Sequence, residues 1–94
     1  AVVFDDVHDA SIDSLIAPFA TDASPILKLT DSRNIAIRNC RPPSATNVFL
    51  ELSGPATNNI SVYNNDLTAI KKIHDISPDV PTSALAMWSN RHKE

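Results

Sequence analysis

The sequence predicts an all-β fold, a parallel β-solenoid (β-helix) of about three coils followed by an irregular C-terminal cap. Three observations support this fold. A short phrase recurs at an interval of about 25 residues, each repeat contains two stretches of alternating apolar residues, and no window between those stretches shows a helical period. The 94 residues make one domain, which we divide into coils over residues 1–70 and a capping tail over residues 71–94.

The repeat is clearest in NIAIRNC (34–40) and NISVYNN (59–65), and DASIDSL (9–15) is a third copy. Period-two alternation over such short stretches is typical of strands. Aligned at the repeat interval, the copies form columns of similar side chains: Asp9, Asn34 and Asn59; Ala10, Ile35 and Ile60; Ile12, Ile37 and Val62; Ser14, Asn39 and Asn64.

A second apolar pair precedes each copy, so each repeat supplies two strands. These pairs are Val2 and Phe4, Leu27 and Leu29, Leu50 and Leu52. The first two pairs are separated by the repeat interval, whereas the last pair follows two residues sooner. The third repeat therefore has two more residues between its strands than the second. Gly54 and Pro55 fall in that longer turn, where turn-forming residues belong.

Strands that recur in this way and cannot pair as tight hairpins stack most simply on their own copies, about 4.8 Å apart. The aliphatic columns then form interior ladders. We expect two structural ladders at the bends, one of Asn34 and Asn59 and one of Asn39 and Asn64. There the side-chain amides can bond each other and the exposed backbone groups.

The outward-facing residues of the repeated strand form a column of Asp13, Arg38 and Tyr63. This order predicts an ion pair between Asp13 and Arg38 and a cation–π contact between Arg38 and Tyr63. Exposed contacts of this kind contribute about 1 kcal/mol or less each. We expect them to stabilise the register of the coils more than the fold.

A leucine-rich repeat is the main competing architecture, because Ile60, Val62, Asn65 and Leu67 match its strand consensus. Against it stands the second apolar strand of each repeat, where a horseshoe needs a helix or a convex segment. The loop RPPSATNV (41–48) is unsuited to a helix. A β-sandwich remains a further alternative.

The last residues break the period, and we expect them to cap the open end of the solenoid. Ile70, Ile73 and Ile76 predict a short amphipathic turn or an irregular flap that ends at Pro78. The opposite face, at Val2 and Phe4, has no cap in the sequence. We expect the N-terminal remainder of the same chain, or a second copy, to pack on it.

Composition excludes several functions. A net charge of −3 offers no basic surface for nucleic acid, and no apolar run approaches the length of a membrane helix. The single cysteine, Cys40, rules out an intramolecular disulfide and is expected to be a packed core residue. We expect no metal and no cofactor. The segment contains no signal peptide pattern.

The run PILKLTDSRNIAIRNCRPPSATNVFLELSGPATNNISVYNNDLTAI (25–70) resembles the last coils of polygalacturonase-like proteins. These are right-handed parallel β-helices of glycoside hydrolase family 28 and its relatives in the pectate-lyase-like superfamily. The resemblance implies a right-handed parallel β-helix, a secreted or periplasmic location, and a role in cutting or binding acidic plant polysaccharide.

The resemblance does not extend to catalysis. Of the family's Asn-Thr-Asp, Asp-Asp, Gly-His-Gly and Arg-Ile-Lys segments, only Asp5-Asp6 has a literal match, and it lacks the preceding glycine. Together with His8 and Asp9 this pair is expected to form a solvated turn. We therefore expect no catalytic residue in this chain. We expect the chain to be a C-terminal, non-catalytic part of such a hydrolase, with catalysis upstream of Ala1, or alternatively a non-catalytic carbohydrate-binding or assembly module.

Three residues are candidates for contact with a ligand. Arg33 and Arg38 carry planar guanidinium groups suited to uronate carboxylates, although they belong to different parts of the coil. Trp88 offers a stacking platform for a sugar ring, with capping of the core as its alternative role. Asn59 begins a glycosylation sequon but is expected to be unmodified, because a glycan there would clash with the ladder.

Overall fold

The structure is a computed structural model, and it describes residues 2–15, 25–42 and 47–92. Within these residues it contains strands and turns but no helix. The strands are β1 Val2–Asp5, β2 His8–Asp13, β3 Leu27–Thr30, β4 Arg33–Arg38, β5 Val48–Ser53, β6 Asn58–Tyr63, β7 Asp66–Leu67, β8 Lys72–Ile76, β9 Leu85–Trp88 and β10 Arg91–His92.

The strands form three parallel sheets. The first sheet has the order β1-β3-β5-β8, the second has the order β2-β4-β6-β9, and β7 pairs with β10 in a third. Each turn of the chain adds one strand to the first sheet and one to the second. The chain is therefore a β-solenoid of about three turns, as the repeat predicts.

The strand register follows the columns that were read from the sequence. In the second sheet Ala10, Ile35 and Ile60 are direct partners across three strands. In the first sheet Leu27 lies opposite both Val2 and Leu50, although the interval to Leu50 is two residues shorter. The two extra residues of the third repeat lie in the turn after β5, around Gly54.

The bends of the coil are made by residues with left-handed backbone conformations. Positive φ angles are tolerated best by glycine, asparagine and aspartate, the last two because their short polar side chains bond the local backbone. The bends stack in three columns: Asp6 (56°), Asp31 (48°) and Gly54 (93°); Asp9 (61°), Asn34 (59°) and Asn59 (53°); Ser14 (62°), Asn39 (57°), Asn64 (55°) and Ser89 (55°). This explains a chain with one glycine and many Asn, Asp and Ser residues.

The interior columns of the middle coils form the core. Their aliphatic side chains are at most 1% exposed, and they include Leu27, Leu29, Ile35, Ile37, Leu50, Leu52, Ile60 and Val62. The first coil is less well covered: Val2, Phe4 and Ala10 pack against the core but are only half-buried. Its outer face is therefore an end face of the described structure.

The tail is more regular than the sequence predicted. Strands β8 and β9 extend the first and second sheets, with Ile60 opposite Leu85 and Val62 opposite Met87. The repeat continues here because the open edges of β5 and β6 present backbone groups that another strand can satisfy. The tail covers those edges by adding one more strand to each sheet, so β8 and β9 become the edge strands of the two sheets at this end. The division of the chain at residue 70 stays a prediction.

The strands of the tail are hard to recognise in the sequence, because their inward-facing residues differ in type from those of the earlier coils. In β8 the partners of Leu50 and Leu52 are His74 and Ile76, so one aliphatic position of the pair is a histidine. The interval from Leu50 to His74 also differs by one residue from both earlier intervals. Residues 43–46 of the proline-containing loop, which argued against a horseshoe, lie outside the described residues.

Candidate functional site

The outward face of the second sheet carries a column of four large polar or aromatic side chains. Asp13, Arg38, Tyr63 and Trp88 are direct partners on β2, β4, β6 and β9, and we call them the outward column. The parallel column on the same face contains only small residues: Ser11, Ala36, Ser61 and Ala86. The outward column is therefore flanked by small side chains along the whole sheet.

The lower half of the column is an ion pair with further hydrogen bonds. Arg38 Nε lies 2.9 Å from Asp13 Oδ2, and Asn39 Nδ2 donates to Asp13 Oδ1 at 3.0 Å. The bonds donated by Asn39, Ser14 and Arg38 lower the pKa of Asp13 from 3.8 to about 2. Asp13 therefore remains a carboxylate at any physiological pH.

The contact between Arg38 and Tyr63 differs from the predicted cation–π geometry. Arg38 Nη1 donates a hydrogen bond of 3.2 Å to the Tyr63 hydroxyl. The pKa of Arg38 is raised first by this bond and then by its bond to Asp13. The guanidinium is thus engaged on both sides, and its charge is balanced by Asp13.

The upper half of the column is an aromatic stack. The rings of Tyr63 and Trp88 are parallel to within 3°, and their centroids are 4.7 Å apart. The separation matches the spacing between neighbouring strands, as expected for side chains in one column. Trp88 is 49% exposed, so one face of its indole lies against Tyr63 while much of the rest is open to solvent.

A small cavity adjoins Trp88 at the C-terminal end of the column. It has a volume of about 190 Å³ and is lined by Met87, Trp88, Ser89, Asn90 and His92. Asn90 is fixed, because its Nδ2 donates to the Val62 carbonyl at 2.9 Å and its Oδ1 accepts from Asn65 Nδ2 at 3.0 Å. The wall of the cavity is therefore anchored to the solenoid.

Asn65, which is buried, and Asn90, which is half-buried, form a ladder that was not predicted from the sequence. Asn65 is 2% exposed, its Oδ1 accepts from the Cys40 amide at 2.9 Å, and its Nδ2 donates to the Ile37 carbonyl at 3.1 Å. The recurrence of asparagine at the repeat interval was the available signal. Cys40 is buried beside this ladder, and burial raises the pKa of its thiol.

The asparagines named from the sequence lie at the exposed bends. Asn59 Nδ2 donates to Asn34 Oδ1 at 2.8 Å, and Asn34 Nδ2 donates to Asp9 Oδ1 at 2.8 Å. The second pair is connected through the backbone, since the Asn39 amide donates to the Asn64 carbonyl at 3.1 Å. The Asn39 side chain bonds Asp13 instead.

The structure does not bring the two candidate arginines together. Arg33 and Arg38 occupy opposite ends of β4, with the bend at Asn34 between them. Arg33 Nε lies 3.4 Å from His8 Nε2, which in turn lies 3.1 Å from Asp6 Oδ1. These groups are exposed and belong to a separate polar patch. Of the predicted ligand residues, only Arg38 and Trp88 share a column.

Among the described residues, no group of three or more His, Cys, Asp or Glu side chains could hold a metal ion. Nor does that part of the chain contain a helix long and apolar enough to cross a membrane. Comparison of the chain with family models, with curated proteins and with solved structures finds no match.

Proposed function

We propose that the chain is the C-terminal, non-catalytic part of a polygalacturonase-like β-helical glycoside hydrolase that acts on acidic, plant-type polysaccharide. Its catalytic residues lie upstream of Ala1, and the protein is secreted or periplasmic. The incomplete burial of the first coil supports the part of this proposal that places further coils before β1, and the hydrolase assignment rests on the sequence resemblance alone.

Apart from the buried Ile12, the inward side chains of the first coil are less buried than those of the next coil. Leu27 and Leu29 are 0% exposed, whereas their partners Val2 and Phe4 in the coil below are half-buried. Ala10 is likewise half-buried beneath the buried Ile35. A further coil on β1 and β2 would cover these side chains and pair with the edges of those strands. Preceding coils of the same chain, or a second copy, would provide that cover.

The proposal is tested with the parent reading frame. We expect it to encode additional aspartate-rich coils before Ala1, and the parent protein to depolymerise homogalacturonan or rhamnogalacturonan in a reducing-sugar assay. The 94-residue chain alone should be inactive in the same assay. A parent frame without such coils, or hydrolysis by the isolated chain, would refute the proposal.

The alternative is a non-catalytic β-helical carbohydrate-binding or assembly module. The stacked and half-exposed Tyr63–Trp88 pair favours it, because aromatic rings with one solvent-exposed face are suited to stacking against a ligand. Affinity electrophoresis in gels that contain pectin distinguishes the two functions. Retardation of the isolated chain, combined with an inactive parent protein, would support the module.

A further inference from the structure

We propose that the open face of Trp88 and the adjoining cavity form a binding subsite for a single pyranose unit. The inference depends on the proposed function in taking a polysaccharide as the ligand. It adds the location of the contact, its residues and its chemistry.

The indole is held in place before any ligand arrives. Tyr63 covers one face of Trp88 at a centroid distance of 4.7 Å, and the Tyr63 hydroxyl accepts a hydrogen bond from Arg38. Arg38 is held in turn by Asp13 at 2.9 Å. Four side chains in register therefore orient the ring, and a ligand that stacks on it incurs little of the usual entropic cost of ordering a side chain.

The shape and chemistry of the cavity fit a sugar ring. Trp88 supplies an apolar platform, Ser89, Asn90 and His92 supply polar groups around it, and Met87, the inward-facing neighbour of Trp88 on β9, also lines the cavity. A pyranose has a matching distribution, with a C–H face and hydroxyl groups at its edge. The volume of about 190 Å³ lies below the range of roughly 300–1,000 Å³ that is typical of drug-sized ligands, so the cavity accommodates one ring.

The charges of the outward column are already satisfied within the column. The guanidinium of the column, on Arg38, is already paired with Asp13 and bonded to Tyr63. The subsite therefore recognises the ring face rather than a carboxylate, and acidic and neutral pyranoses should bind with affinities within about threefold of each other.

The chain contains two built-in reporters for this site, because it has a single tryptophan and a single methionine. Both line the cavity. The experiment titrates the 94-residue chain with trigalacturonate and, separately, with galactotriose, and follows the indole N–H and Met methyl signals by NMR. We expect saturable shifts of both signals with either sugar, with little change between about 25 and about 300 mM salt.

Two variants of Trp88 test whether binding requires a flat aromatic ring at this position. Trp88→Ala should weaken binding about tenfold, whereas Trp88→Phe, which keeps a flat ring, should stay within about threefold. Val3→Ala is the matched control, since Val3 is 61% exposed on β1 at the other end of the solenoid and should have no effect on affinity. Amide spectra with native dispersion establish that each variant is folded.

Several results would overturn the subsite. One is a set of sugar-induced shifts confined to amides remote from Trp88 and Met87, which would leave polysaccharide binding intact at another place. Another is an indole shift that follows protein concentration without sugar, which would assign the face to contact between copies. Absence of any shift with both sugars also refutes the subsite. Activity of the parent protein decides the proposed function independently of all three.

Discussion

Replacement of Asn65 by serine should destabilise the solenoid far more than the same change at its exposed neighbour Asn64. The Asn65 side chain is 2% exposed and satisfies two buried backbone groups, the Cys40 amide at 2.9 Å and the Ile37 carbonyl at 3.1 Å. A serine side chain is too short to reach both groups. It also loses the bond to Asn90 Oδ1.

The magnitude follows from the groups that lose their partners. Each buried backbone group without a hydrogen bond costs about 1–3 kcal/mol, so the loss of both partners in Asn65→Ser should lower the free energy of unfolding by about 2–6 kcal/mol. For a chain of this size that corresponds to a fall in Tm of at least roughly 8 °C. Asn64→Ser should cost about 0.5 kcal/mol or less, since Ser14 and Ser89 adopt the same backbone conformation in its column.

Urea unfolding followed by circular dichroism measures both variants. Hydrogen exchange adds a local test, because the Cys40 amide should lose protection in Asn65→Ser while the amides of the first sheet keep theirs. Equal losses of stability in the two variants would refute the reasoning. So would retention of protection at the Cys40 amide, since the ladder would then not be the partner of that group.

Three further predictions concern the bends, the ion pair and the core. Gly54→Ala should destabilise the fold by about 1–3 kcal/mol in urea unfolding, because φ at Gly54 is +93° and a Cβ there would collide with the Asp31 carboxylate. The Asp13 carboxylate has a pKa of about 2 in the folded chain against 3.8 ordinarily, so its stabilising effect is complete above about pH 4 and is lost as the pH falls towards 2. The stability difference between the wild type and Asp13→Asn, measured in urea at pH 6 and at about pH 2, should therefore shrink at the lower pH. Ile37→Ala should cost about 2–5 kcal/mol in thermal unfolding, because Ile37 is 0% exposed in an interior column.

Each of these predictions has its own control. Ser53→Ala, next to Gly54 in β5, loses only the hydrogen bond of 2.9 Å between the Ser53 and Thr30 hydroxyls, worth about 0.5–1.5 kcal/mol, and should cost less than Gly54→Ala. Asp66 also has a lowered pKa, caused first by a bond from Thr68, but its contribution cancels in the difference between the wild type and Asp13→Asn. Ala36→Gly changes an outward residue of the same strand as Ile37. If Ala36→Gly cost more than Ile37→Ala, the assignment of inward and outward faces would be wrong.

The coils could be predicted from the sequence because two independent patterns agree. The recurrence at a fixed interval aligns Ile35 with Ile60, and the period-two alternation makes both inward-facing. A parallel solenoid is the arrangement in which identical columns stack without a hairpin or a helix. The position of the longer turn, around Gly54, followed from the same alignment.

The last strands were not predicted from the sequence, because the residues at their inward positions differ chemically from those of the earlier coils. At a solenoid end the inward side chains are only partly covered, so His74 can occupy a position that is leucine in the coil below. Backbone pairing, rather than side-chain similarity, holds β8 in place. An alignment based on aliphatic residues cannot detect strands that are held in this way.

Single residues of the candidate site were predicted from the sequence, but their arrangement was not. Arg38 and Trp88 were both named from the sequence, but for separate reasons, and the stack of Trp88 on Tyr63 was not foreseen. Its signal was present, because Trp88 follows Tyr63 at the same interval that separates Tyr63 from Arg38. The pattern of aliphatic pairs ends at about Leu67, so it does not connect the two rings. Once β9 is aligned with β6, Trp88 lies in the outward column next to Tyr63.

The outward column is where this solenoid can carry function without altering its fold. The inward positions of the middle coils are aliphatic and buried, whereas the outward positions accept side chains as different as Asp13, Arg38 and Trp88. The stack of Trp88 on Tyr63 should contribute about 0.5–1.5 kcal/mol to stability, a small part of what the interior ladders provide. Trp88→Ala should therefore leave a folded solenoid whose affinity for the proposed sugar ligand is about tenfold weaker, whereas Asn65→Ser should lower the stability of the whole chain. The contrast between the two variants separates residues that stabilise the solenoid from residues that contact the proposed ligand.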